Sequence, residues 1–343
     1  MKNIIITFDY ELFFGDKSGT VIKSIIQPTN DILTALEKVN GKAVFFVDYL
    51  MLKRMHAEND ITHHAALLIE EQLRDIVRRG SRIELHLHPH WIDAKYKNGE
   101  WDFSDFTHYC MESFSDEEAH DMIVEGTRYL ESIVKNVDPN YKIIAFRAGG
   151  WAILPFCKFA NGFKDAGIIV DSSVTKQRII EGYTHTMDFR LSPNEIIYKF
   201  RDDVLCPVRD GVYVEHQIAT VQFNIFSYII DALYRKMNPL KFKRLTDGTH
   251  VLQKYEKRRH QVQEYRQGFF KKLNLSRFYM RTFLAITDQS KYGMRLLLKK
   301  CKSVPVIMGH PKDLTLATIE NIEYLGKYYK CVSYNELLNF YEL

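Results

Sequence analysis

Three histidines fall at alternate positions in Arg82-Ile-Glu-Leu-His-Leu-His-Pro-His-Trp91, at His86, His88 and His90. Three of the chain's 13 histidines thus crowd into one short run. In extended backbone, residues two apart leave the same face, so the three side chains can converge. Imidazole is the commonest side-chain metal ligand, and catalytic zinc sites use three protein ligands plus a water. The pattern points to a divalent ion held by at least two of them; the bland alternative is that one or two only hydrogen-bond their neighbours. Asp9 and Glu11 repeat the alternate spacing just after the apolar run Ile4-Ile-Ile-Thr-Phe8. Carboxylates at the C-terminal end of a parallel strand are where α/β enzymes place reacting groups, although a solvated loop acid is as common there. Arg147 ends another apolar run and precedes Ala148, Gly149, Gly150 and Trp151. It sets a fixed cation, able to grip a carboxylate or to form a structural ion pair, beside exposed backbone amides. Asp171 follows a fifth run and precedes Ser172 and Ser173, and His310 follows Val306-Ile-Met-Gly. A histidine there can give or take a proton near neutral pH.

Such groups need strands that end together. β-branched runs occur at Asn3–Phe8, Lys42–Val47, Arg82–Leu87, Lys142–Phe146, Gly167–Val170, Val304–Met308 and, more weakly, Tyr329–Ser333. Helical patterns lie between them, over Thr29–Val39, from Asp60 to Arg79, from the capping box Ser115-x-x-Glu118 to Val134, and over Leu314–Tyr328. This alternation predicts an α/β fold with a parallel sheet or a βα barrel. The chain has 343 residues, 46% apolar and 26% charged, which fits one such barrel or two domains and excludes wholesale disorder. No apolar run is long enough to span a membrane, and the N-terminal run, interrupted by Asp9, reads as a strand and not a signal peptide. Cys110, Cys157, Cys206, Cys301 and Cys331 are scattered and form no CxxC. A disulfide framework is therefore not expected, and a reducing cytoplasm is.

The charge is uneven. Residues 231–302 hold 19 Lys and Arg against 5 Asp and Glu, whereas the remainder holds 28 against 38. The stretch 222–300 reads as a basic, mostly helical insertion, leaving 1–221 and 301–343 as the barrel. Its basic excess fits a solvated face, an anionic membrane surface, where each nearby basic residue contributes about 1 kcal/mol, or a phosphate-linked or acidic glycan. No recognised nucleic-acid module is present, so nucleic acid is not an expected partner.

Taken in order, these segments resemble the polysaccharide deacetylases of the NodB-homology, carbohydrate esterase 4 type. The family's TFDD motif is matched by Thr7-Phe8-Asp9-Tyr10-Glu11, and its G-x-x-I-x-x-H-x-x-x-H stretch by Gly80, Ile83, His86 and His90. Its arginine motif is matched by Phe146-Arg147-Ala-Gly-Gly-Trp151, its aspartate by Asp171 and its final strand-end histidine by His310. Its ATFFV strand is matched by Ala43-Val-Phe-Phe-Val47. The likeness covers about residues 1–175 and 303–335, and the His-Leu-His-Pro-His-Trp form looks most like an intracellular branch associated with surface-polysaccharide or O-antigen synthesis.

The resemblance implies a distorted (β/α) barrel and a hydrolase that removes an N-acyl group from an amino sugar or glycan, lipid- or phosphate-linked carriers included. It implies zinc, or another divalent ion, on His86, His90 and Glu11. It further implies Asp9 as base, oriented by Arg147, and His310 as acid, held by Asp171. A backbone N–H near Gly150 would meet the oxyanion. Apart from the resemblance, the aromatic loop from Trp91 to Tyr109 offers rings that could stack on a sugar, Trp91 and Trp101 first among them with Trp151 as a further substrate contact, although most rings of such a loop more often fold onto a small core of their own. One position departs from the pattern: the family's usual metal aspartate is Tyr10 here, and Glu11, on the face of Asp9, is its expected replacement. Two alternatives stay open, a barrel that binds glycan without metal and a metal enzyme of another class that pairs His86 with His88. A cytoplasmic protein, peripheral to the inner membrane face, is the expected setting.

Overall fold

In the computed structural model the described residues are 1–182, 184–252 and 279–340. Eight strands form one curled sheet in the order Ile197–Phe200, Tyr213–His216, Val170–Asp171, Ala145–Ala148, Arg82–Leu87, Val44–Asp48, Asn3–Tyr10 and Val306–Gly309. Lys330–Cys331 adds to the start of Asn3–Tyr10. All neighbours run parallel except Ile197–Phe200 against Tyr213–His216. The last strand, Val306–Gly309, meets the far side of the sheet through isolated bridges, Ala285–Met308 among them. Ile218 bridges Thr175 on one side and Val306 on the other. Its N–H donates to the Val174 carbonyl at 2.9 Å, and the Ala219 N–H donates to the Val306 carbonyl at 3.2 Å. The architecture is thus an α/β barrel whose closure is reduced to a seam.

Strand alternation sorts the residues. From Asn3–Tyr10, Ile4, Ile6, Phe8 and Tyr10 enter the core beneath the helices, whereas Ile5 belongs to a second cluster with Val44, Phe46, Ala145, Val170 and Val214. Tyr334 and Leu337, from the C-terminal helix Tyr334–Phe340, join that second cluster. The barrel interior is therefore packed at one end and turns polar toward the strand C-termini.

Seven strands were legible as apolar runs, each displaced by up to three residues. The helix expected over Thr29–Val39 is Gln27–Glu37, preceded by a π-helical turn at Ile22–Ile26. The Ser115 capping box forms as expected, while Asn59 rather than Asp60 caps Asp60–Arg78, through the Thr62 N–H. Three helices were not anticipated: Tyr49–Glu58, which follows its strand directly with no polar break, Cys157–Ala166 and Tyr334–Phe340.

The basic stretch contributes the strand Thr220–Asn224, paired antiparallel with Tyr279–Phe283, and the helices Ile225–Met237 and Lys291–Leu298. Its loop 241–252 lies along the barrel: the Leu245 N–H donates to the Leu314 carbonyl and the Thr249 N–H to that of Lys17, both at 3.0 Å. The dense run Lys254–His260 lies outside the described residues.

Because Ile218 is fully buried at the seam, Ile218→Ala is expected to cost about 2–4 kcal/mol in denaturant unfolding. A loss under about 1 kcal/mol would mean that the seam does not carry the closure.

Candidate active site

Asp9 and Glu11 leave the end of Asn3–Tyr10 into the barrel mouth, and both are buried. Tyr10, between them, faces the helical layer, where its hydroxyl donates to Gln72 Oε1 at 2.7 Å. The alternation explains how a tyrosine can stand where the motif carries an aspartate: in this chain the position points away from the mouth, and Glu11 occupies the face of Asp9.

Arg147 is fully buried and each of its three nitrogens donates. Nη1 donates to Asp9 Oδ1 at 2.5 Å and to Thr7 Oγ1 at 3.1 Å; Nε donates to the Ser172 carbonyl at 2.9 Å and Nη2 to Ser172 Oγ at 3.2 Å. The guanidinium also lies 4.2 Å from the Phe46 ring centroid. Burial pushes the Asp9 carboxyl up, but Arg147, with His86 and His310, outweighs it and holds Asp9 below its ordinary range.

Glu11 Oε2 lies 3.2 Å from His86 Nε2 and 2.7 Å from His88 Nε2. Its other oxygen accepts from Lys312 Nζ at 2.8 Å. Lys312 is itself buried and donates to the Leu12 carbonyl at 2.9 Å. Burial raises the Glu11 carboxyl, and Lys312 followed by His88 pulls it well below its usual range. His86 Nδ1 lies 2.7 Å from the Arg147 carbonyl, a contact that places a ring proton on Nδ1 and leaves Nε2, turned to Glu11, as the nitrogen that an ion would take. His88 is backed by Gly149, where a Cβ would stand 2.6 Å from the ring. Among the described residues, Glu11, His86 and His88 are the three whose ligand atoms lie close enough to share an ion.

His90, expected beside His86 as a ligand, stands one ring further out. It stacks on Tyr109 and meets Phe14 edge-on, and neither of its nitrogens has a hydrogen-bond partner among the described residues. Burial holds it well below the usual histidine range, and brings His88 to about 4.

The donor set of one carboxylate and two imidazoles fits a catalytic divalent site, which uses three protein ligands and a water. The orientation of His86, with Nδ1 on the Arg147 carbonyl and Nε2 toward Glu11, adds to the fit. Lys312 works against it, since an ammonium already neutralises Glu11.

His310 reaches the same mouth. Its Nε2 is 3.7 Å from Asp9 Oδ2 and 3.7 Å from Glu11 Oε1. Its Nδ1 is 3.3 Å from Asp313 Oδ2, and Asp313 Oδ1 is 2.7 Å from His250 Nε2. Burial disfavours the charged imidazole, but Asp313 outweighs it and raises His310 above the usual histidine value.

Asp171, expected to hold His310, does not reach it. Its carboxylate accepts from Ser173 Oγ at 2.7 Å and from the Ser173 N–H at 3.1 Å, and it pairs with buried Glu215. Asp171 therefore braces the wall: Ser173 Oγ also accepts from the Ala148 N–H at 2.8 Å. Trp91, expected to face a sugar, is fully buried between Trp101 and Phe103, and Trp101 is buried with it, so neither offers a face to a ring. These aromatics fold onto their own small core. Trp151 stacks on Phe283, and Gly150, at φ +59°, has a conformation that favours glycine. Lys312 and Asp313 were not anticipated; their signal was the polar pair directly after His310-Pro311.

No family model matches the chain, and no curated protein matches it. Solved structures do. A protein from Mycobacterium smegmatis, provisionally named a polysaccharide deacetylase, aligns over 98% of this chain and 89% of its own, with 13% identity and a TM-score of 0.44. The peptidoglycan deacetylase PdaC from Bacillus subtilis aligns over 99% and 92%, with 12% identity and a TM-score of 0.40. A pseudoenzyme of the carbohydrate esterase 4 family from Bacillus anthracis aligns over 98% and 65%, with 12% identity and a TM-score of 0.41. At scores and identities this low the likeness assigns neither family membership nor activity.

Glu215 provides a test of the wall. Burial, and then Asp171, push its carboxyl well above the usual range. Between the unfolded pKa of roughly 4.3 and the raised folded one, the folded state holds the extra proton. That stability is present at low pH and is lost as pH rises. The thermal midpoint of the wild type is therefore expected to drop relative to Glu215→Gln as pH rises from roughly 4.3 through the raised Glu215 value. Parallel curves would remove the shared proton from the account.

Proposed function

We propose that this chain is a metal-dependent hydrolase that removes an N-acyl group, an acetyl in the simplest case, from an amino sugar or glycan of a surface polysaccharide. The observation that carries the reading is the convergence of Asp9, Glu11 and His310 at one barrel mouth, with Asp9 Oδ2 3.7 Å from His310 Nε2. The motif resemblance supports the substrate class. Glu11, His86 and His88 would hold the ion, zinc being the expected one. A divalent ion bound there supplies Lewis acidity toward the acyl carbonyl and toward a water. Asp9, kept ionised and aimed by Arg147, takes the proton from the attacking water. His310, held at Nδ1 by Asp313, gives a proton from Nε2 to the departing nitrogen.

A second reading, a barrel that binds glycan without an ion, is favoured by one observation. Both mouth carboxylates already face a buried protein cation, Asp9 with Arg147 and Glu11 with Lys312.

Elemental analysis after zinc loading and desalting separates the two. Near-stoichiometric zinc is expected in the wild type, with affinity at least about tenfold lower in Glu11→Ala and His88→Ala and little changed in His90→Ala. The opposite order for the two histidines would restore the His86–His90 pairing that the motif implies. No retained ion in the wild type would favour the second reading.

The pH profile tests the acid. His310 must carry its proton, so kcat/KM on an N-acetylated glycan is expected to fall as pH rises through the raised His310 value. Asp313→Asn removes the raising partner and should move that alkaline limb to lower pH. A limb that stays in place would take His310 out of the acid role.

A further inference from the structure

The helix Ile225–Met237 is fixed on one side only. Asp231 is buried beneath it, accepts from Ser290 Oγ and from the Ser290 N–H at 3.2 Å, and pairs with Arg235 at 3.1 Å. On the other side Ile229, Ile230, Leu233 and Met237 recur at helical spacing and are exposed, and Leu240 continues the stripe beyond the helix. Leu233 and Met237 stand 53% and 80% exposed. A contiguous apolar face of this kind on a folded chain marks an interaction surface.

Its flanks identify the partner. Between Ala232 and Thr246 there are five Lys and Arg and no Asp or Glu. Arg235, Lys241 and Arg244 pair with Asp231, Glu320 and Asp313. Lys236 and Lys243 are exposed and make no ion pair among the described residues. A second copy of the face would set these cations against one another. The chain's own stretch 253–278 carries eight Lys and Arg against two Glu, so it is no better matched in charge. An apolar stripe with basic flanks fits the interface of an anionic bilayer, where the stripe enters the acyl boundary and the lysines meet headgroup phosphates. No helix among the described residues is long and apolar enough to cross a membrane, so the contact is one of surface docking.

We propose that the outer face of Ile225–Met237, continued through Leu240, docks this protein onto an anionic lipid surface. The loop that follows the docked face reaches the barrel mouth. Thr246 Oγ1 donates to the Lys312 carbonyl at 2.5 Å, and His250 Nε2 lies 2.7 Å from Asp313 Oδ1. Through this loop the docking helix is tied to the Lys312–Asp313 turn beside His310, which would favour a lipid-carried glycan as the substrate. That account of the carrier rests on the proposed hydrolase; the docking itself does not.

Vesicle co-sedimentation of the full chain tests it without reference to catalysis. The protein is expected to sediment with vesicles of phosphatidylcholine mixed with phosphatidylglycerol, and more weakly with phosphatidylcholine alone. Leu233→Glu/Met237→Glu is expected to weaken the partition by at least about tenfold. Lys236→Gln/Lys243→Gln is expected to narrow the difference between the two vesicle types. Size-exclusion elution and thermal midpoints of the variants report whether they remain folded. Absence of the wild type from the anionic pellet, or equal partition of folded Leu233→Glu/Met237→Glu, would overturn the proposal. So would a wild-type dimer that the glutamate pair converts to a monomer, since a second copy would then cover the face. Docking without amide hydrolysis would leave this proposal standing and remove only the enzymatic reading.

Discussion

A guanidinium sealed from water at the barrel centre governs the arrangement of the mouth. An isolated buried cation costs several kcal/mol, and Arg147 is tolerated because every direction it points in is answered. Asp9 and Thr7 come from the first strand, Ser172 follows the fifth, and the Phe46 ring of the second strand lies against its plane. Its own carbonyl takes His86 of the third. One residue thus holds five strand ends in register. The base and the first imidazole are aimed by the group that makes the wall coherent. Removing Asp9, its charged partner, would strand a cation in the interior, at a typical cost of about 3–5 kcal/mol.

Around this centre the charges alternate in sign. Asp9 meets Arg147, Glu11 meets Lys312, and Asp313 stands between His310 and His250. The histidines diverge as a result. His86, hydrogen-bonded to Glu11 and near Asp9, is raised to about 9 against its burial, while His88 next to it is lowered to about 4 because burial prevails. Two imidazoles of one strand are thereby given opposite protonation preferences by carboxylates that reach them unequally. Behind the wall, Asp171 and Glu215 are buried together, and Glu215 stays protonated to unusually high pH. The mouth-facing carboxylates are held ionised, whereas Glu215 behind the wall is pushed toward its protonated form.

The sequence exposed the wall more fully than its surroundings. Strand-end chemistry is readable because a period of two sorts neighbours onto faces, and so Asp9 with Glu11, Arg147 and His310 do share the mouth. What a period of two cannot show is the turn after the strand. Pro89 ends the extended run, and Pro89–Ile92 becomes a 3-10 turn. His90 is consequently carried away from the line of His86 and His88. The same limit applies to Asp171, whose side chain folds back onto the backbone two residues on, and to Trp91, whose aromatic neighbours lie in a hairpin that only the folded chain brings over it. Lys312 was hidden for another reason. A lysine in a loop reads as solvated, and its burial depends on Glu11, some three hundred positions earlier in the chain.

The seam at Ile218 also bears on how such a barrel can change. The strand Thr220–Asn224 leaves directly after it, and its partner Tyr279–Phe283 returns to Leu284, whose N–H donates to the Ala219 carbonyl at 2.9 Å. The whole excursion begins and ends where the sheet is held by single bridges, on the side away from Arg82–Leu87. Length can therefore be gained or lost there over evolutionary time without shifting the register of the strands that carry the reacting groups. The place where the barrel is least continuous is where a lineage can graft a new surface while inheriting an old mouth.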